Sequence, residues 1–179
     1  MIRHLPEQNA RQGFFERPEF EALAAALPEH LKDFARFAYL TGWRKGEIAS
    51  LSWSDVDRDG GAIRLRPEHS KNGRGRIVPF DVLPQLTTLP ERRTRARLFT
   101  GEGNVPRVSE YVFHDGGEQI GDFRKAWASA CVTSNLYHIE KDPDGHDRKI
   151  PDKLFHDLRR TAVRNMVRAG VDPASCHED

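Results

Sequence analysis

The stretch AIRLRPEHSKNGRGRIVPF, residues 62–80, decides the fold class. Its first five residues alternate apolar and basic side chains, the mark of a strand with one solvated face. Asn72-Gly73 suits a tight hairpin, and Arg76-Ile77-Val78-Pro79-Phe80 reads as the returning strand. Residues 62–80 therefore predict a small antiparallel sheet with a basic exposed side. Asp59-Gly60-Gly61, just before it, is a strong turn signal.

Outward from this sheet the pattern is mainly helical. Upstream, Phe20, Leu23, Ala24 and Leu27 recur at helical spacing before Pro28 interrupts. Leu31, Phe34, Ala35, Ala38 and Tyr39 share one face of a second helix, which should end near Thr41-Gly42, where glycine suits a C-terminal cap. A short third helix is expected over 44–51, then a turn at Ser54-Asp55-Val56-Asp57. Downstream, a helix is expected over 84–98 with Arg92, Arg93, Arg95 and Arg97 near its end. Tyr111-Val112-Phe113 reads as a short strand or an extended entry. Residues 122–132 form a helix with Phe123, Ala126, Trp127 and Ala130 on one face. Residues 138–152 hold Pro, Gly and Asp and read as a loop. Residues 155–169 are a final clear helix, stopped by Gly170. Runs of helix around one small sheet predict an α+β domain over 17–179, with 1–16 a linker or arm.

Composition narrows the function classes. The 179 residues are 37% hydrophobic and 31% charged, which suits one globular domain with a real core. No apolar run of about 18 residues exists, so no membrane helix is expected. The first twenty residues lack the apolar stretch of a secretory signal. Cys131 and Cys176 are far apart, which excludes a disulfide framework and points to a reducing cytoplasm. The net charge of +1 is uneven: 61–100 carries nine Lys+Arg against three Asp+Glu. Such a segment can build a local phosphate-binding surface; a solvated charge run has the same composition.

Three constellations could carry chemistry. In TGWRKGEI, residues 41–48, Arg44 follows a glycine break at the start of a short helix. Helix N–H groups and a guanidinium together suit a phosphate, and Glu47, one turn on, could hold Arg44 in place. An ordinary surface ion pair has the same spacing. In SKNGRGR, residues 70–76, Lys71 stands at a hairpin tip beside glycines. Lysine there can bind phosphate or give up a proton, although a solvated turn is the common case. In FHDLRRT, residues 155–161, His156 and Arg159 point to one side of the last helix, and Arg160 can also reach that side. Histidine moves protons near neutral pH and arginine clamps phosphate; a basic solvated face is the alternative.

Other features are weaker. Asp142-Pro143-Asp144-Gly145 hints at a calcium loop, but Lys153 stands where the closing Glu is required. Cys131, His138, His146, Cys176 and His177 lack paired zinc spacing, so no metal site is expected. Trp43, Trp53 and Trp127 suit core or base-stacking roles, core above all. Asp55, Asp57 and Asp59 could suggest a metal-dependent nuclease but are expected in a solvated turn.

Taken in order, TGWRKGEIASLSWSDVD, SKNGRGRIVPF and FHDLRRTAVRNMVRAGV resemble the catalytic domain of the tyrosine recombinase (phage integrase) family. The linking segment YVFHDGGEQIGDFRKAWASA resembles it too. The resemblance covers about 14–171. It implies that Arg44 is the first catalytic arginine, Lys71 the hairpin lysine, and His156 and Arg159 the HxxR pair. Glu47 matches the acidic residue that supports the first arginine, and Lys45, Arg74, Arg76 and Arg160 become candidate DNA contacts. The implied activity is DNA integration or site-specific recombination through a 3′-phosphotyrosyl link. The implied partners are double-stranded DNA and other recombinase protomers, with no metal or cofactor. The family places its nucleophilic tyrosine after the HxxR helix. Here Tyr39, Tyr111 and Tyr137 all precede His156, so no nucleophile is assigned and the domain is expected to be incomplete at its C-terminal side. The chain alone is then expected to bind DNA phosphate without cleaving it. The alternative is a non-catalytic DNA-binding module or remnant.

Overall fold

The computed structural model describes residues 13–70 and 73–170. Three helices open it: α1 (Arg17–Ala26), α2 (Glu29–Thr41) and α3 (Lys45–Ala49). α1 begins where the Glu19 carboxylate accepts the Glu16 backbone N–H at 2.8 Å, and it buries Phe20, Leu23 and Ala24. α2 buries Leu31, Phe34, Ala35, Phe37, Ala38 and Thr41. That face is wider than a single stripe because α2 packs against both α1 and the last helix. Tyr39 is half-buried and stacks on Phe20, with ring centroids 3.9 Å apart.

The expected sheet is present. β1 (Val56–Asp57), β2 (Ala62–Leu65) and β3 (Arg76–Pro79) form one antiparallel sheet in the order β1-β2-β3. Ile63 pairs with Val78 and Leu65 with Arg76. Asn72, on which the expected tight turn rests, lies outside the described residues. Residues 66–75 connect β2 and β3 and begin with a 3-10 turn at Pro67–His69.

The helix expected over 84–98 is broken. A 3-10 turn (Pro84–Leu86) precedes α4 (Leu89–Ala96), and Leu98–Thr100 is already strand β4. Pro84 and Pro90 each sit in the first turn of their helix, where a missing N–H costs nothing. β4 pairs with β5 (Pro106–Val108), and β6 (His114–Asp115) with β7 (Glu118–Gln119). Of the two readings of 111–113, the short strand is not formed: Tyr111 makes an isolated bridge to Ser52. α5 (Arg124–Thr133) buries Trp127, Ala130 and Cys131. The region read as a loop over 138–152 is a hairpin of β8 (Tyr137–Lys141) and β9 (Asp147–Pro151). α6 (Asp157–Arg168) closes the described chain and buries Leu158, Thr161, Ala162 and Met166.

The core lies between α2, α6, α1, α5 and the inner face of the three-stranded sheet. The arm expected over 1–16 divides. Residues 1–12 lie outside the described residues, whereas Phe15 is fully buried beside Phe20 and Trp127. The Phe15 N–H donates to Thr161 Oγ1 at 2.9 Å, and Arg164 donates to the Phe15 carbonyl at 2.6 Å. The residues just before α1 are thus laced across α6. No helix among the described residues is long and apolar enough to cross a membrane.

Candidate functional site

The site begins at Gly42, which ends α2 in the left-handed region at φ 67°. The turn buries Trp43 and starts α3 at Arg44. A Cβ on Gly42 would lie 3.1 Å from the Ala162 Cβ and 3.4 Å from the Arg159 carbonyl oxygen. Glycine therefore lets the α2–α3 corner touch α6. Gly42→Ala is expected to lower stability by about 1–2 kcal/mol, from left-handed strain alone. A urea melt checks this, and an unchanged midpoint would contradict it.

Arg44 and Glu47 meet as the spacing predicts. The Arg44 backbone N–H donates to Glu47 Oε2 at 2.8 Å, and Arg44 Nη1 donates to Oε1 at 2.9 Å. The Glu47 side chain is 2% exposed and that of Arg44 30%. A second guanidinium joins them: Arg76 Nη1 donates to Glu47 Oε2 at 3.1 Å. Arg159, on α6, donates from Nη1 to the Gly42 carbonyl oxygen at 2.7 Å, which clips it to the corner that carries Arg44. Burial pushes the Arg159 guanidinium below its ordinary pKa; the charges of Arg44 and Arg76 push the same way, and Glu47 opposes them. Two guanidiniums thus share one buried carboxylate and Arg159 feels the charge of all three groups, an excess of positive charge that an anion would offset.

His156 is exposed at the start of α6, one turn before Arg159. Lys71 and Asn72 lie outside the described residues; Ser70 and Gly73, which flank them, belong to the 66–75 connection. Lys45 is exposed, with its Nζ 4.8 Å from the Phe123 ring centroid. Arg74 and Arg160 are exposed. Arg76 departs from the expected exposed basic face: it is buried against Glu47. Strand periodicity explains this. Val78 is in the core, and residue i−2 shares its face. That signal was present in the sequence.

The acidic turn differs from expectation at Asp55, whereas Asp59 is exposed as expected. Asp55 is buried and accepts from Arg66 Nε at 2.6 Å and from the Ser52 N–H at 2.8 Å. Asp57 accepts from the Gly60 N–H and from Arg64. These carboxylates are tied into the fold, and neither belongs to a metal-like cluster. The group with such a shape among the described residues is Asp142, Asp144 and His146. Asp142 Oδ1 there accepts the backbone N–H groups of Asp144 and His146, which closes the β8–β9 turn. Cys131 is buried and its thiol is pushed up to about 11, so it stays protonated at neutral pH.

Comparison with known proteins places this arrangement. The model of the phage integrase family matches residues 14–178. The ICEBs1 integrase of Bacillus subtilis (strain 168) is 24% identical over 192 residues, 96% of this chain and 47% of that protein. The integrase of Salmonella phage P22 is 24% identical over 165 residues, 92% of this chain and 39% of that protein. The chain thus spans less than half the length of both relatives. The lambda integrase catalytic core has a TM-score of 0.61 at 20% identity, over 93% of this chain and 90% of that one. A lambda integrase(75-356) dimer bound to a COC' core site has a TM-score of 0.66 at 19% identity, over 96% of this chain and 58% of that one. Sequence pattern and backbone agree along nearly the whole described length: the chain shares the fold of the lambda integrase catalytic core and belongs to the phage integrase family.

Proposed function

We propose that this chain supplies the phosphate-activating part of a site-specific DNA recombinase that works through a 3′-phosphotyrosyl intermediate. The observation that supports this most is the cluster in which Arg44 and Arg76 share the single carboxylate of Glu47 while Arg159 is clipped to the Gly42 carbonyl, two residues before Arg44. Arg44 and Arg159 take the non-bridging oxygens of the scissile phosphate, where negative charge grows in the transition state. Lys71 gives a proton to the leaving 5′-oxygen, and His156 assists proton transfer. A tyrosine oxygen bonds to phosphorus as the 5′-oxygen leaves, so the phosphodiester's energy is retained in the new ester and no nucleotide cofactor is consumed. Double-stranded DNA and further recombinase protomers are the partners; a lambda integrase tetramer bound to a Holliday junction is among the chains of similar fold.

The three tyrosines of this sequence have other surroundings. Tyr39 stacks on Phe20, Tyr111 bridges to Ser52, and Tyr137 lies under the Lys149 ammonium. The 179-residue chain is therefore expected to bind duplex DNA and to form no covalent adduct. Incubation with nicked duplex followed by denaturing electrophoresis tests this; a robust SDS-stable adduct would overturn it. Binding should weaken as salt rises, and the Arg44→Ala, Arg159→Ala double variant should show a salt slope shallower by about one. If its affinity and slope match the parent chain, the phosphate assignment fails.

A further inference from the structure

Arg76 stands out because a buried guanidinium needs a reason. It is 6% exposed, on β3, opposite Leu65 of β2. Its ion-pair partner is the Glu47 carboxylate, on the same Oε2 that accepts the Arg44 backbone N–H. The other oxygen, Oε1, takes the Arg44 side chain. One carboxylate thus joins β3 to α3, and its Arg44-facing oxygen is oriented by what the Arg76-facing oxygen holds. β3 is also the strand that leaves the 66–75 connection carrying Lys71. Arg76 is too enclosed to present its guanidinium to a duplex as Arg44 can.

We propose that Arg76 is a positioning residue: through Glu47 it holds the Arg44 guanidinium in its phosphate-binding orientation. This rests on the reading of Arg44 as a phosphate ligand. The ion pair with Arg76 restricts the Glu47 side chain to one orientation. Arg44, which is partly exposed and long, then loses less freedom when it meets an anion. Arg76 also adds to the positive field felt at Arg159, but that contribution acts on any anion whether or not Arg44 is present. The two roles therefore separate in a mutant cycle.

The test measures duplex DNA affinity of the 179-residue chain at fixed low salt. It compares the parent with Arg44→Ala, Arg76→Met and the double variant, each verified as folded by a thermal melt. Arg44→Ala should weaken binding about tenfold, the size of a lost charged hydrogen bond. Arg76→Met should weaken it by a similar factor. The double variant should be no weaker than Arg44→Ala alone, because a residue that acts through Arg44 has nothing left to position. Additive losses would mean that Arg76 acts on DNA directly or by charge alone, and would overturn the proposal. A folded Arg76→Met with parental affinity would reduce Arg76 to a scaffold ion pair and would also overturn it. If Arg76→Met does not fold, Arg76→Lys replaces it in the same cycle, with the same non-additivity expected. Arg44→Ala with unchanged affinity would instead remove the phosphate-site reading itself, and this inference with it.

Discussion

Glu47→Ala is expected to lower the unfolding free energy by about 3–5 kcal/mol, the range for breaking a buried ion pair from one side. The loss comes from what remains. Arg76 would keep its guanidinium buried with its carboxylate gone, and the Arg44 backbone N–H at the start of α3 would lose its acceptor. Glu47→Gln keeps the shape and one good acceptor, so it should lose less. Urea unfolding of both variants against the parent reads the difference. A loss below about 1 kcal/mol for Glu47→Ala would place the pair in the exposed class, and the cluster would then be a solvated one. Duplex affinity of the folded Glu47→Ala protein should fall as well, because Arg44 loses both of its tethers to the carboxylate.

Phe34→Ala should cost a similar amount, about 3–5 kcal/mol, by a different route. Phe34 is fully buried on α2. Its ring meets Phe113 and Phe123 edge-on at 5.7 and 5.6 Å, and stacks on Phe155 at 5.5 Å. Truncation empties the centre of that cluster, and three rings anchored on separate elements cannot all close in. Phe34→Leu fills most of the space and should cost less than about 1.5 kcal/mol. Calorimetric or urea melts separate the two. An alanine variant within about 1 kcal/mol of the parent would show that the aromatic cluster repacks freely. Because Phe155 directly precedes His156, the alanine variant should also loosen the entry to α6.

Much of this was legible in the sequence, and the failures have physical causes. The α2 stripe, the Gly42 cap and the Arg44–Glu47 pair follow from helical spacing alone. The family pattern then ordered Arg44, His156 and Arg159, and the structure brings Arg159 onto the corner before Arg44. At Arg76 the sequence misleads, because a basic residue in an alternating strand suggests a solvated face, although its neighbour on the same face, Val78, is core. Asp55 misleads for the same reason: its charge suggests water, but Arg66 and Ser52 satisfy it inside. The β8–β9 hairpin left no period-two signal. Four of the five β8 residues are exposed, so apolar alternation is weak and the Asp-Pro-Asp-Gly turn dominated the reading. The helix expected over 84–98 breaks at Thr87-Thr88, ahead of α4, which carries Pro90 in its first turn.

The hydrogen bond from Arg159 to the Gly42 carbonyl joins residues 117 positions apart, and that separation orders events on the ribosome. A nascent chain that has emerged only as far as β3 already contains Arg44, Glu47 and Arg76, but it has no second arginine to close over a phosphate. The missing arginine arrives with α6, after every other described element has been made. Closing so long a loop carries an entropic cost that grows with the logarithm of its length, so nothing holds α6 in place until α2 offers its finished face. A chain made only as far as β9 therefore carries Arg44, Glu47 and Arg76 without Arg159, and the proposed anion site is completed only once α6 has docked on α2.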